Sequence, residues 1–249
     1  MTYLFVLNVI MLTRLGYLLR ETPARPRTIA LAAAVQLGAL TVLEPAWPVG
    51  AMALLLIVLA AAGRVLERRG RHLAGVRGLV FVIVALAGIP LLDGVGFAGW
   101  SRSLFDAVTA GSPWTAPLTA ADWQRVNAVL FGLLLLTNEV NLLIRYGFHR
   151  LNLEPKTESA AAGADASPPE TDERQYNAGR VIGFLERYFI FALMLAGADY
   201  GVIAVILAAK GFARFKQLDR REFAEYILIG TLASTLAAVL VALLVRAIV

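Results

Sequence analysis

The chain has 249 residues, 59% of them hydrophobic, and a mean hydropathy of +0.69. Soluble domains are only about half apolar, so most of this chain belongs in a lipid bilayer. The sequence lacks cysteine, and its two histidines, His72 and His149, lie in basic segments. Disulfides, thiolate ligands and a paired-histidine metal site are therefore excluded, and we expect no metal and no cofactor.

Eight apolar segments are predicted membrane spans, because a span needs roughly 20 residues, and fewer in a tight hairpin. They cover residues 2–19, 28–43, 47–63, 76–92, 123–145, 179–197, 200–216 and 223–246. The sixth and seventh meet at Ala198-Asp199-Tyr200, which predicts a hairpin; one long kinked segment is the alternative. The predicted fold is an all-α, polytopic transmembrane helix bundle.

The basic residues predict the orientation of these spans. The connections 20–27, 63–77, 145–180 and 210–221 carry 3, 5, 5 and 5 basic residues, which is 18 of the 23 Lys and Arg residues. Cytoplasmic loops are enriched in Lys and Arg, so these connections are predicted to be cytoplasmic and both termini to lie outside. The predicted location of the protein is a bacterial inner membrane. This distribution explains the net charge of +5 better than nucleic-acid binding does.

Two segments are predicted to lie outside the bilayer. Residues 154–178 have a flexible linker's composition and separate a five-span region, 1–153, from a three-span module, 179–249. Residues 93–122 carry tryptophans, which prefer the headgroup zone. They predict either a short interfacial helix around Ser101–Ala110 or, as the favoured interpretation, an outer loop with anchoring aromatics.

Charged and amide residues inside several spans are the main functional signal, because ionisable groups in a bilayer are costly. Helix rise places Glu139, Glu186 and Lys210 about 9 Å inside the cytoplasmic boundary, and Glu225 about 6 Å inside. The predicted ligand-binding set is Asn138, Glu139, Asn141, Arg145, Glu186, Arg187, Lys210, Arg214 and Glu225.

The spacing of these residues predicts which of them meet. Lys210 and Arg214 share a helix face, with Glu186 as the nearest counterion and Glu225 next. Glu139 must find its partner on another helix. Three carboxylates balance three cations, as in a structural salt-bridge network. Arg14 and Arg145 add a cationic surplus, which suits a phosphate or carboxylate ligand, although arginines near span ends also snorkel to the interface.

The C-terminal third contains four short segments: Gly183-Phe-Leu-Glu186-Arg187, Ala208-Ala-Lys210-Gly-Phe-Ala-Arg214-Phe215, Ala224-Glu225-Tyr226 and Leu228-Ile-Gly230-Thr231. Together they resemble a block found in uncharacterised bacterial multi-pass inner-membrane proteins. The resemblance implies that the polar residues of the last three spans form one module, and it implies no activity.

The leading hypothesis is a non-enzymatic membrane protein whose polar site in the cytoplasmic leaflet binds or transports a small anion or an anionic lipid. The alternative is a scaffold or assembly protein whose intramembrane charges only lock helices together. An intramembrane enzyme would have only carboxylates such as Glu139 or Glu186 for acid–base work. Membrane lipids are the expected partners, with a homo-oligomer or another membrane protein left open.

Overall fold

The structure, a computed structural model, describes residues 1–17, 25–68, 73–111, 115, 119–151, 170–213 and 221–249. These residues form helices and contain no strand beyond an isolated bridge between Leu43 and Phe97. The all-α class is confirmed. The helices are α1 (Thr2–Arg14), α2 (Pro26–Leu40), α3 (Trp47–Arg68), α4 (Leu73–Leu92), α5 (Gly99–Ala110), α6 (Ala120–Leu134), α7 (Val140–Arg150), α8 (Glu170–Leu195), α9 (Gly201–Ala213) and α10 (Arg221–Ile248).

Within the described residues, four helical stretches are long and apolar enough to cross a membrane, and by length and composition they indicate a membrane protein. They are α3, α4, the continuous stretch Ala120–Arg150 and Ala224–Ile248. The helix α1 is apolar but has 13 residues, which rise about 20 Å against a hydrocarbon core of about 30 Å. Every predicted segment overlaps a helix, while the count of eight spans and the location of the termini stay predictions.

The described chain divides into two compact units. Unit 1 comprises Met1–Leu143 with Ile248–Val249, and unit 2 comprises Ile144–Ala247. Of the predicted linker, residues 154–169 lie outside the described residues, and α8 begins at Glu170. Residues 170–178 are therefore helical rather than a flexible linker. Their sequence opens with acidic residue types, which favour the start of a helix.

In unit 1, the helices α1 to α4 alternate in direction around one core. At one end Arg14 Nη2 donates to the Arg77 carbonyl at 2.7 Å, which joins the end of α1 to the start of α4. At the other end Thr2 Oγ1 donates to the Val95 carbonyl at 2.8 Å, which joins the start of α1 to the segment after α4. We call the end at Arg14 and Arg77 the charged end. The core between the two ends is apolar and comprises Val6, Ile10, Leu40, Leu43, Met52, Leu56, Val84 and Leu92.

The helix α6 packs against α1 within the same unit. It begins with a capping box in which Thr119 and Asp122 each accept a backbone hydrogen bond from the other, and this satisfies two otherwise unpaired donors. The helix α5 lies within the range 93–122, so a helix exists where the favoured interpretation placed an outer loop. Whether α5 is interfacial stays a prediction.

In unit 2, α8 and α9 are separate helices joined by a tight turn, as the hairpin prediction required. The chain leaves α8 through Gly197, whose φ is +73°, a conformation that favours glycine. Asp199 Oδ1 then accepts a hydrogen bond from the Gly201 amide at 2.6 Å and caps the start of α9. The alternative of one long kinked segment is wrong, because two helix ends and a positive φ interrupt the chain there.

Candidate functional site

A buried ion pair at the charged end of unit 1 joins α1 to the stretch between α6 and α7. Arg14 donates from Nε to Glu139 Oε1 at 2.6 Å and from Nη2 to Oε2 at 3.1 Å. Both side chains are 7% exposed. The expectation that Glu139 pairs with another helix is confirmed. The Arg14 guanidinium lies inside the unit, beside the Phe81 ring at 5.4 Å, rather than snorkelling to an interface.

A π-helical turn, Leu135–Glu139, presents Glu139 to this pair. Thr137 Oγ1 bonds back to the Leu133 carbonyl at 2.6 Å within the turn. Asn138 is fully buried and donates from Nδ2 to Glu139 Oε1 at 2.8 Å. Its Oδ1 is buried and has no hydrogen-bond partner among the residues that the structure describes. Such turns are frequent at functional sites, and this one brings two adjacent polar side chains inward.

A second buried ion pair lies beside the first and was not predicted. Arg77 Nε donates to Glu67 Oε1 at 2.8 Å, with the side chains 4% and 7% exposed. The sequence had placed both residues in the basic connection 63–77. The helix α3 continues to Arg68 and α4 starts at Leu73, so both residues lie on helices. Glu67 is the single acidic residue in that connection, which is the signal that could have identified the pair.

A cavity of about 70 Å³ opens among α1, α2, α3 and α4 next to these pairs. Small residues make the space between the helices, among them Ala32, Ala33, Ala60 and Gly63. The polar residues that line it are Thr13, Arg14, Gln36, Arg64, Glu67 and Arg77. The cavity is therefore polar at the charged end of the helices and apolar elsewhere.

Among the described residues, the charges of this cluster do not balance. Arg14, Arg64 and Arg77 face two described carboxylates, those of Glu67 and Glu139, which leaves one positive charge in excess in this part of the chain. Among the residues that the structure describes, Arg64 makes no ion pair. The side chain is half-buried and lines the cavity. From the sequence, Arg64 is predicted only as one of the cytoplasmic cations.

Two amide side chains of unit 1, those of Asn8 and Gln36, form hydrogen bonds between helices. Asn8 Nδ2 donates to both the backbone carbonyl and the side-chain oxygen of Asn127, and this joins α1 to α6. Gln36 Nε2 donates to Thr13 Oγ1 at 2.7 Å and joins α2 to α1 beside the cavity. Both amide side chains therefore join helices through hydrogen bonds.

In unit 2, Glu186 pairs with Lys210 across the hairpin, as predicted. The adjacent Arg187 is 5% exposed, with its guanidinium 4.9 Å from the centre of the Phe184 ring. Its Nε is buried without a hydrogen-bond partner, and within the described part of the chain it forms no ion pair. Two cations, Arg187 and Lys210, and one carboxylate, that of Glu186, therefore lie on neighbouring turns of this hairpin.

The other predicted site residues are less buried. Asn141 and Arg145 are half-buried and Glu225 is exposed, while Arg214 lies outside the described residues. The structure brings Asn138 and Glu139 together in unit 1, and Glu186 and Lys210 together in unit 2. It adds Arg14, Gln36, Arg64, Glu67 and Arg77 to the first group.

Among the described ranges, no group of three His, Asp or Glu side chains could hold a metal ion. Comparisons with protein-family models, with curated proteins and with solved structures find no match for this chain. The resemblance of the C-terminal third to a block of bacterial inner-membrane proteins therefore stays a prediction, and function is argued from the sites alone.

Proposed function

We propose that the protein is a multi-pass protein of a bacterial inner membrane that binds a small oxyanion at the charged end of α1–α4. The proposed topology has eight spans and both termini outside. The alternation of α1 to α4 supports it, because Arg14, Glu67 and Arg77 meet at one end. The positive-inside rule assigns that end to the cytoplasm.

The surplus arginine at the cavity is the observation that supports anion binding. Arginine inside a membrane helix is costly, and Arg64 lies one turn before the end of α3. Arg14 and Arg77 offset that cost by pairing with carboxylates, and within the described residues Arg64 does not. An oxyanion beside Arg64 would supply the missing charge through two parallel hydrogen bonds, the geometry that guanidinium groups favour.

The size of the cavity limits the ligand. A buried water needs about 10–15 Å³ of such space, so a cavity of about 70 Å³ holds about five to seven groups of that size. Sites for drug-sized ligands are several times larger, about 300–1,000 Å³. The cavity suits a tetrahedral oxyanion such as phosphate, and it has no room for an acyl chain. The oxyanion could be free or could be the headgroup phosphate of an anionic lipid.

Thermal unfolding of the purified protein tests the proposal and separates these two sources. We expect inorganic phosphate to raise the Tm of wild type in a zwitterionic detergent, with about 2.7 kcal/mol of stabilisation at a hundred times Kd. If the source is the headgroup, protection will instead require nanodiscs that contain phosphatidylglycerol rather than phosphatidylcholine alone.

The variant Arg64→Gln should lose this protection. Arg68→Gln is the matched control, because Arg68 is the same residue type on α3 and is exposed. Equal protection of both variants, or no protection of wild type by either anion, would rule out the proposed site.

A scaffold role remains the second candidate, and the buried ion pairs favour it. Arg14–Glu139 joins residues 125 positions apart in sequence, and Glu186–Lys210 closes the α8–α9 hairpin. If these charges only lock helices, Lys210→Met should destabilise the protein and neither phosphate nor anionic lipid should protect the wild type. The predicted ligand-binding residues of unit 2 would then be structural.

A further inference from the structure

Unit 1 has a second opening at the end opposite the cavity. A surface depression lies there, lined by Met1, Thr2, Tyr3, Ile89, Leu92, Asp93, Gly94 and Val95. It is formed by the start of α1 and the end of α4, and the same two helices line the cavity through Ile10 and Val84. The two spaces are therefore successive along one pair of helices.

An apolar layer separates the two spaces. Its members Val6 and Met52 are 1% and 0% exposed and line neither opening. Along α1 the layer extends from Ile10 to Tyr3, a distance of about 10 Å at 1.5 Å per residue. Packed apolar side chains of this kind block ions, because water and hydrated ions avoid narrow apolar passages.

Met52, Gly88 and Tyr3 are the residues at which we expect this layer to open. Met52 has an unbranched, flexible side chain, which adapts to changes in packing more readily than branched residues do. Gly88 has no side chain, and the Tyr3 ring occupies that space, since a Cβ on Gly88 would lie 2.9 Å from Tyr3 Cε2. The Tyr3 hydroxyl donates to the Ala85 carbonyl at 2.8 Å, and this donor could turn to a passing anion.

We propose that α1–α4 form a transport path for a free oxyanion, from the cavity through the layer at Met52 to the depression at Tyr3. This inference rests on the proposed anion site at Arg64. The structure corresponds to the state in which the layer is closed. A lipid-bound phosphate could not follow this path, because its acyl chains would have to cross the layer with it.

Uptake of radiolabelled inorganic phosphate into proteoliposomes tests the path, with Kd measured separately in detergent. We expect wild type to exceed protein-free liposomes, and Met52→Ala to raise uptake severalfold with Kd unchanged. Leu54→Ala is the matched control, because Leu54 is on the same helix and 63% exposed, and it should behave as wild type. Tyr3→Phe keeps the ring and should lower uptake without changing Kd, which preserves the test if Met52→Ala fails to fold.

The absence of cysteine gives an independent measurement. A thiol introduced by Met52→Cys should react with a membrane-impermeant reagent, and phosphate should slow that reaction. The thiol of Leu54→Cys should stay unreactive, because it faces lipid in the proposed topology.

The path would be overturned, and the binding site left intact, by two results together. Wild type would bind phosphate without taking it up, and the thiol of Met52→Cys would not react. Loss of both binding and uptake would overturn the proposed function as well. Protection by anionic lipid alone would keep the site and remove the path.

Discussion

The two units place charge in helix interiors in different ways. In unit 1, Arg14–Glu139 and Arg77–Glu67 are both almost fully buried, and the first joins residues far apart in sequence. In unit 2, Glu186 and Lys210 lie at matching positions on the two arms of one hairpin, with side chains 18% and 15% exposed. A pair across a hairpin can be predicted from its spacing. A pair between distant helices depends on the whole packing arrangement.

This difference also predicts how strongly each pair matters. Removing one partner of a buried ion pair leaves an uncompensated charge, and this costs more than losing a partly exposed pair. The exposed pair Arg102–Glu44, with side chains 58% and 53% exposed, provides a baseline. Substitutions in Arg14–Glu139, Glu186–Lys210 and Arg102–Glu44 should therefore give large, intermediate and small losses of stability, in that order.

The largest effect is expected for Glu139→Gln. The Arg14 guanidinium would stay buried without its carboxylate, and we expect unfolding in a denaturing-detergent titration to become easier by about 3–5 kcal/mol. The double variant Arg14→Met with Glu139→Leu should recover part of that loss. A single variant with wild-type stability would show that the pair is not buried in the membrane-embedded protein.

An intermediate effect is expected for Lys210→Met. Glu186 would lose a charged hydrogen bond at a partly exposed position, and we expect a loss of about 1.5–3 kcal/mol in the same titration. The matched variant Lys210→Arg keeps the charge and should retain most of the stability. If Lys210→Met is as damaging as Glu139→Gln, the contrast between the two units is lost.

The smallest effect is expected for Arg102→Gln. Its pair is solvent-exposed, and such pairs typically contribute about 0–1 kcal/mol. Salt should reduce even this contribution, so the stability of wild type and variant should converge at high ionic strength. A loss comparable to that of Lys210→Met would show that this end of unit 1 is less accessible to water than the structure indicates.

Several features of the site could be predicted from sequence, because they depend on local spacing. The turn at Ala198-Asp199-Tyr200 brings Glu186 and Lys210 to similar distances from it on the two arms. The requirement that Glu139 pair with another helix also followed from spacing, since Glu139 and Arg145 point to different sides of one helix. Neither argument could name Arg14 as the partner.

Other features could not be predicted, for physical reasons that particular residues illustrate. The π-helical turn changes the rotation of the helix at Asn138 and Glu139, so the faces assigned from regular helical spacing do not apply there. Glu67 and Arg77 were assigned to a connection because charged residues ended the apolar runs, yet buried pairing keeps both on helices. The predicted linker was too long for a similar reason, because polar composition does not exclude a helix at 170–178.

The helical class, the approximate positions of the helices in the eight apolar segments and the α8–α9 hairpin follow from the sequence alone. Hydrophobic periodicity, turn residues and basic loops are local properties, and they can be read without knowing which helices touch. Tertiary structure sets which partners Glu139 and Glu67 find, where the cavity lies and that Arg64 lines it without a carboxylate among the described residues. Those outcomes depend on the packing and rotation of separate helices, and the free energy that sets them comes from contacts between residues far apart in the chain.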